Sequence, residues 1–478
     1  LWHLAHRLGV PAALLWAAVC VAQTSQPNLA DYRVYTKHPR LWLDGGRLDR
    51  LRHEVERDTD RWRQLQTLSR SGQQFPEEPL WLALQFQVAG SQEAGRKAAD
   101  WALGKAKSGS MFSNPTDLRL GAIVFDWCHE LLSQPQREGL AVALGKAAQA
   151  IAAAHGLESG PLRSAVLAAV AVADDWEPAS RTLLDLIDGR WRREILPALV
   201  KGETPDRAAE LMAMLEIFHA VRYNLEQDLW READGVFRPL PRIEMLRYYP
   251  RPVETDSGFL RERARPSAVK LDAQAESVPA RIAEMMLVAY ENTLEEYQFL
   301  QGWIRHDAYV LRDAYGAVYE FIWINPYLPG LSYSNSPPVA HDEIRGRVFG
   351  RQGWNDDDVW AGYLDGELQV YGEGQLMVIG PETRQAPLEF AGAAIVPARL
   401  PMKFEVQVPR AVGARDDRVI YVVGLREGET YNVKVNGSRF RTYTAGRGGI
   451  IPIRNEAGRE IPEIDFDQKV KVEVRGKK

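Results

Sequence analysis

The sequence predicts a multidomain chain, helical first and then a sandwich of antiparallel β-strands. Three observations predict it. Apolar residues recur at helical spacing from Leu48 to Phe321. From Arg347 the period drops to two, and Asp365-Gly366 and Asn436-Gly437 supply hairpin turns whose residues tolerate positive φ. Between the halves, the stretch Asn325 to Tyr371 contains a Pro/Gly/Ser-rich connector, which marks the domain junction. The expected divisions are a leader (1–22), an arm (23–44), a helical domain (45–330), a β-sandwich (331–415) and a C-terminal strand module (416–478), separate from the sandwich or continuous with it.

At 478 residues the chain is long enough for two or three domains. Its 59 Lys+Arg against 64 Asp+Glu leave a net charge of −5, so no basic footprint points to nucleic acid. The 14 tryptophans suit stacking on sugar rings, although tryptophan is more often a core residue.

The first residues resemble an export signal. Arg7 with His3 and His6 forms a modest charged region, Val10 to Ala22 is a short apolar run, and Cys20-Val21-Ala22 offers a small-x-Ala cleavage site. The run is too short to span a bilayer comfortably, so the expectation is a periplasmic or secreted protein with no membrane span after cleavage. A lipoprotein at Cys20 is the alternative, with Val19 a poor residue before a lipidated cysteine. Cleavage leaves Cys128 as the single cysteine, which excludes an intramolecular disulfide.

In chain order, Gln23 to Arg40 is a polar arm. Leu48, Leu51, Val55, Trp62 and Leu65 begin the helical pattern, and further stripes run through Leu80–Val88, Ala98–Ala106, Leu118–Leu132 and Leu140–Ile151. Leu162 to Ala173 is apolar all round, as a fully buried inner helix would be. Stripes at Leu183–Leu199, Leu211–Phe218, Ile282–Tyr290 and Tyr297–Phe321 complete the set. Helices of this length joined by short turns form a bundle, a solenoid or a closed ring of hairpins. Phe237 to Lys270 reads as a long irregular segment with eight basic groups against four acidic ones, interleaved with Tyr248, Tyr249 and Phe259. It is either a clamp for an anionic chain or a solvated flap. Strands are expected at Arg347–Gly353, Val359–Leu364, Glu367–Tyr371, Gln375–Ile379, Lys403–Val408, Val419–Val423, Thr430–Val435, Arg439–Thr444 and Val470–Val474.

Three stretches carry a family likeness. Lys37 to Arg52 (KHPRLWLDGGRLDRLR), Phe125 to Arg137 (FDWCHELLSQPQR) and Val348 to Gly366 (VFGRQGWNDDDVWAGYLDG) resemble segments of the heparinase II/III and alginate-lyase type polysaccharide lyases. The resemblance implies an (α/α) toroid of helical hairpins followed by an antiparallel β-sandwich. It also implies an acidic polysaccharide or oligosaccharide as partner, cleaved by β-elimination. The chain departs from the pattern at Leu364 to Tyr371 (LDGELQVY), which lacks the histidines of the family's His-x-His-x-Asp motif. At His155 to Arg163 (HGLESGPLR) an Asn-rich helix start is missing.

A uronate lyase needs a neutraliser for the carboxylate, a base and an acid. His219 and Tyr223 are four residues apart and share a helix face, with Arg222 and Asn224 adjacent. The catalytic candidates are His219, Tyr223, Asn224 and His341, and the substrate-binding candidates Arg222, Tyr248, Tyr249, Tyr333, Arg351 and Trp354. His155, and His306 with Tyr309, are weaker options, and His129 beside Cys128 reads as core or interface. A rival reading is a glycoside hydrolase using two carboxylates drawn from Asp174, Asp175, Glu216 and Asp356 to Asp358. A third is a glycan-binding scaffold without catalysis. No metal or cofactor is expected, since no ligand spacing or glycine-rich nucleotide loop is visible.

Overall fold

The structure, a computed structural model, describes residues 28–108, 112–255, 258–270, 273–306, 314–380, 385–411, 418–455 and 464–476. The expected leader lies outside the described residues, as does Tyr309. The chain is helical in its N-terminal part and rich in antiparallel sheet in its C-terminal part. Among the described residues no helix is long and apolar enough to cross a membrane.

Local chemistry sets the helix ends. Asn114 caps the helix Pro115–Trp127 by accepting from the Thr116 amide at 2.8 Å, with Pro115 at the first position, where its missing N–H costs nothing. Ser133 and Gln136 form a capping box that opens Gln134–Ala152. The helix Ala208–Leu225 stops where Glu226 turns left-handed at φ 54°.

Neighbouring helices follow one another in a closed order. Glu78–Ala89 packs on Pro115–Trp127, which packs on Ser159–Ala171; next come Ala208–Leu225, Ala273–Tyr290 and Ala314–Trp323. The last returns to Asp60–Arg70 and Gly45–Glu56. Their apolar faces merge into one core containing Leu118, Phe125, Val166, Leu215, Phe218, Ile282 and Phe321. Within the expected Leu183–Leu199 stripe, Asp185–Ile195 is wound as a π-helix, which the apolar pattern does not distinguish.

The strands Val339–Asp342, Arg347–Arg351, Trp360–Leu364, Glu367–Gly372 and Gln375–Ile379 form an antiparallel meander. One face carries Phe349, Trp360, Leu364 and Tyr371 against Ile243, Leu246 and Tyr249 of the helical part. The other face sets Val348, Tyr363 and Val370 against Phe390, Ile395, Val419 and Tyr421 of a second sheet. Period-two alternation is what allows one strand to serve both clusters. The second sheet runs in the order Ile451–Arg454, Val419–Val423, Ala393–Pro397 and Leu388–Phe390, and its central pair is parallel rather than antiparallel. A third sheet, ordered Met402–Val406, Val470–Gly476, Thr430–Val435 and Arg441–Thr444, packs Val472 and Val474 against Val422 and Ile420.

The Phe237–Lys270 segment differs from the sequence expectation. It contains a helix, Leu240–Leu246, and a short hairpin, Val253–Thr255 with Gly258–Leu260. Its basic residues find acids both within the segment and elsewhere in the chain. Arg247 binds Asp206 at 2.7 Å, and Arg263 binds Glu244 at 2.6 Å and Glu276 at 2.7 Å. Arg261 reaches Asp356 at 3.4 Å. Both Arg247 and Arg263 are buried, so these two guanidiniums tie parts of the helical region together and do not sit on a solvated flap.

Candidate functional site

The arm that precedes the first helix folds back along Ala208–Leu225, and a cleft of about 500 Å³ opens between them. Tyr35, Thr36, Arg40, Trp42, Asp44 and Arg47 line one side; His219, Arg222, Tyr223 and Tyr290 line the other. Helical spacing puts His219, Arg222 and Tyr223 on one face, because residues three and four apart are neighbours. The rest of that helix is almost wholly buried, so this polar edge at its C-terminal end is the part left open.

Hydrogen bonds hold the arm in register. Thr36 Oγ1 donates to Asn224 Oδ1, while Asn224 Nδ2 donates to the carbonyls of Arg40 at 3.2 Å and Ala220 at 2.8 Å. Asn224 is therefore consumed beneath the cleft as a fastener, fully buried. Tyr35 Oη donates to the Tyr223 carbonyl at 2.8 Å, and the Gly45 amide donates to Tyr223 Oη at 3.4 Å.

His219 sits in the cleft with Nε2 3.1 Å from the Met286 carbonyl. A carbonyl only accepts, so Nε2 carries the proton and Nδ1 the lone pair. Burial, with the Arg47 and Arg222 charges adding to it, pushes the imidazole down to about 3, and the ring is neutral at ordinary pH. Its ring meets Tyr290 edge-on at 5.1 Å and Trp323 at 4.7 Å. Arg47 stacks over Trp323 at 4.4 Å, and Arg222 over Tyr290 at 4.5 Å while donating to the Tyr290 carbonyl at 2.8 Å. Two guanidiniums thus flank a neutral imidazole and an exposed phenol, an arrangement suited to an anionic ligand.

Three of the expected binding residues gather in a second place. Tyr333, Trp354 and Trp303 form an aromatic cluster, with Tyr333–Trp354 centroids 4.9 Å apart. Arg351 lies 4.2 Å over Trp354 and donates Nε to the Gly353 carbonyl at 2.5 Å. Tyr248 is buried on another side of Trp303, their rings 6.2 Å apart. Tyr249 is separate again, donating to Gln369 at 2.7 Å and packing on Trp360.

His341 does not join the cleft. It lies on the strand Val339–Asp342, its ring 5.0 Å from Tyr421 of the second sheet. Burial pushes it down to about 4 from an ordinary 6.5. A histidine depressed on folding is fully favourable above the unfolded value, and its contribution is lost as pH falls from 6.5 towards 4. His341→Gln should therefore flatten the decline of Tm across that window, removing up to about 3 kcal/mol of acid sensitivity. Thermal melts of both proteins at steps from pH 7 to pH 4 check this; parallel curves would oppose it.

Most acids of the hydrolase reading are engaged. Glu216 is buried with Arg163 Nη1 at 3.3 Å and Arg119 Nη1 at 3.6 Å. Asp174 pairs with Arg40, and Asp175 accepts from His129 Nε2 at 2.9 Å. Asp358 caps its own turn by accepting from the Asn355 amide at 2.7 Å. Among the remaining histidines, His155 pairs with Glu194 at 2.8 Å, and His306 lies 6.0 Å from the Tyr333 ring.

Several cleft residues carry no sequence signal of their own. Tyr290 ends an apolar stripe and reads as core. Trp42, Asp44 and Arg47 read as the entrance to a helix, and only the arm's return across the helix gives them a role. Cys128, expected as a small core residue, is fully buried, and burial pushes its thiol up to about 12. In comparisons with protein-family models and with curated proteins, nothing matches the chain.

Proposed function

We propose that the chain is a heparinase II/III-like protein that holds an acidic polysaccharide in the arm–helix cleft and cleaves it by β-elimination at a uronate. One observation carries the reading: a neutral imidazole, a phenol and two guanidiniums line a single cleft of about 500 Å³. The closed order of helical neighbours supports an (α/α) toroid, and the facing apolar clusters between sheets support a sandwich-type β-domain. The three sequence stretches quoted above support the family.

In the proposed reaction Arg222 and Arg47 neutralise the uronate carboxylate, which acidifies the adjacent C–H. The bound carboxylate in turn offsets the guanidiniums that disfavour a charged His219, so the Nδ1 lone pair becomes a better base as substrate binds. Nδ1 takes the proton, the C=C bond forms as the glycosidic C–O bond breaks, and the Tyr223 hydroxyl protonates the departing oxygen.

Incubation with a panel of uronate polymers tests the proposal through the ultraviolet absorbance of unsaturated ends. New reducing ends without unsaturation would replace elimination by hydrolysis. Binding with neither product would identify a glycan-binding scaffold. Arg222→Ala should weaken binding of an acidic oligosaccharide about 10-fold, consistent with loss of one charge-assisted contact, and wild-type affinity should fall with salt. Titration calorimetry at two ionic strengths checks both; salt-independent binding would remove the guanidiniums from recognition.

A further inference from the structure

We propose that His38, His129 and Asp175 form a site for a divalent transition-metal ion of the zinc class, which fastens the arm to the helical core. Their donor atoms all lie within 4.8 Å of one another. They come from three places: the arm, the short helix His129–Leu131 that follows Pro115–Trp127, and the turn after Ser159–Ala171. No ligand spacing is visible in the sequence because each element contributes a single donor.

The chemistry of His38 points to a ligand. Its Nδ1 lies 2.5 Å from Asp126 Oδ1. That carboxylate is itself held by the backbone amides of Arg40, at 2.9 Å, and Leu41, at 2.7 Å. A carboxylate so fixed accepts the Nδ1 proton, which leaves the lone pair on Nε2. This is the carboxylate–histidine arrangement that orients ring ligands on metals. His38 Nε2 is buried and makes no hydrogen bond, and Asp174 Oδ2 lies 4.0 Å away. His129 Nε2 lies 2.9 Å from Asp175 Oδ2. Phe125 stands edge-on to both imidazoles, at 6.0 Å and 5.4 Å, and gives the site an apolar wall.

Two imidazole nitrogens and a carboxylate suit zinc and its first-row neighbours, whereas calcium and magnesium prefer oxygen alone. Charge agrees. Asp126, Asp174 and Asp175 surround the pair, and Arg40 pairs with Asp174. The two rings are stacked with centroids 3.9 Å apart and planes 11° from parallel. Parallel rings point their lone pairs side by side, so one ion can lie in both planes only after the stack opens. His129, in its short helix and partly exposed, is the ring free to tilt. On binding, the Nε2 proton of His129 leaves to solvent, that nitrogen and an Asp175 oxygen turn to the ion, and water or Asp174 completes the coordination.

The site differs from the proposed glycan cleft, and its test does not depend on catalysis. Full-length protein stripped with a chelator is titrated with Zn²⁺ by calorimetry and with Co²⁺ by visible absorption, and its Tm is read with and without Zn²⁺. We expect one ion per chain, a visible Co²⁺ band and a rise in Tm. Binding should be about 100-fold weaker or lost in both His129→Ala and Asp175→Asn, each of which removes a ligand. Absence of stoichiometric binding by the folded wild type would overturn the proposal. So would wild-type affinity in either variant; Asp175→Asn, a near-isosteric change in a turn, serves if His129→Ala does not fold.

Discussion

Replacing His219 by alanine is expected to reduce the rate of unsaturated-end formation by about 100- to 10,000-fold, the range set by loss of a general base. Glycan affinity should survive, because Arg222 and Arg47 remain on the cleft walls. The structural cost is one hydrogen bond to the Met286 carbonyl and some ring packing, on the order of 1–2 kcal/mol, too little to unfold the domain. The expected signature is a collapse of kcat with KM nearly unchanged. Tyr223→Phe makes the companion measurement with less structural risk. The hydroxyl's contact with the Gly45 amide is long, at 3.4 Å, and the ring is exposed, so Tm should hold while turnover falls. Retention of near-wild-type kcat in both variants would move the chemistry out of this cleft, with the Tyr333–Trp354–Arg351 cluster as the next place to look.

Replacing Asp126 by alanine is expected to have the largest effect on stability, a loss of about 4 kcal/mol. The carboxylate is buried and receives the Arg40 amide, the Leu41 amide and His38 Nδ1. Its removal strands two buried backbone donors, each costing about 1–3 kcal/mol, and frees an imidazole from its charge-assisted bond. Among the described residues, the other hydrogen-bonded tie between this part of the arm and the helix Pro115–Trp127 is the Trp127 indole, which donates to the Leu41 carbonyl at 2.9 Å as a neutral bond. Asp126→Asn keeps the shape and one acceptor and should lose roughly half as much. Urea unfolding followed by tryptophan fluorescence gives both values. A loss below about 1 kcal/mol in the alanine variant would mean that the arm is held by packing alone. Because arm residues line the cleft, the same variant should also lose glycan affinity, and that coupling separates a displaced arm from simple global weakening.

Much of the architecture is legible in the residues alone, and for a local reason. Side-chain period follows from backbone geometry, so the 3.6 repeat through Leu215 and Phe218 and the twofold repeat through Tyr431 and Val433 announce helix and strand before any contact is known. Asp365-Gly366 and Asn436-Gly437 are read as turns for the same reason, and Asp365 and Asn436 do take φ of 51° and 47°. That His219, Arg222 and Tyr223 share a face is likewise a matter of pitch.

What escapes the sequence is long-range pairing. The Phe237–Lys270 segment counts as unbalanced only while its arginines are compared with acids inside it; Asp206, Glu276 and Asp356 supply the balance from elsewhere. His341 reads like a wall of the cleft because it follows the connector. The meander instead turns it towards Tyr421 in the second sheet. Asn224 has the polarity of a catalytic neighbour, yet its Oδ1 is bonded to the arm and its Nδ2 to the arm and to its own helix. Charge pairing and hydrogen bonding act through space and are indifferent to chain separation, so the residues alone announce most of the long helices, many of the strands and the polar helix edge. That the arm returns along that edge to form a cleft, and that His38, His129 and Asp175 meet, follows from contacts between segments far apart in the chain.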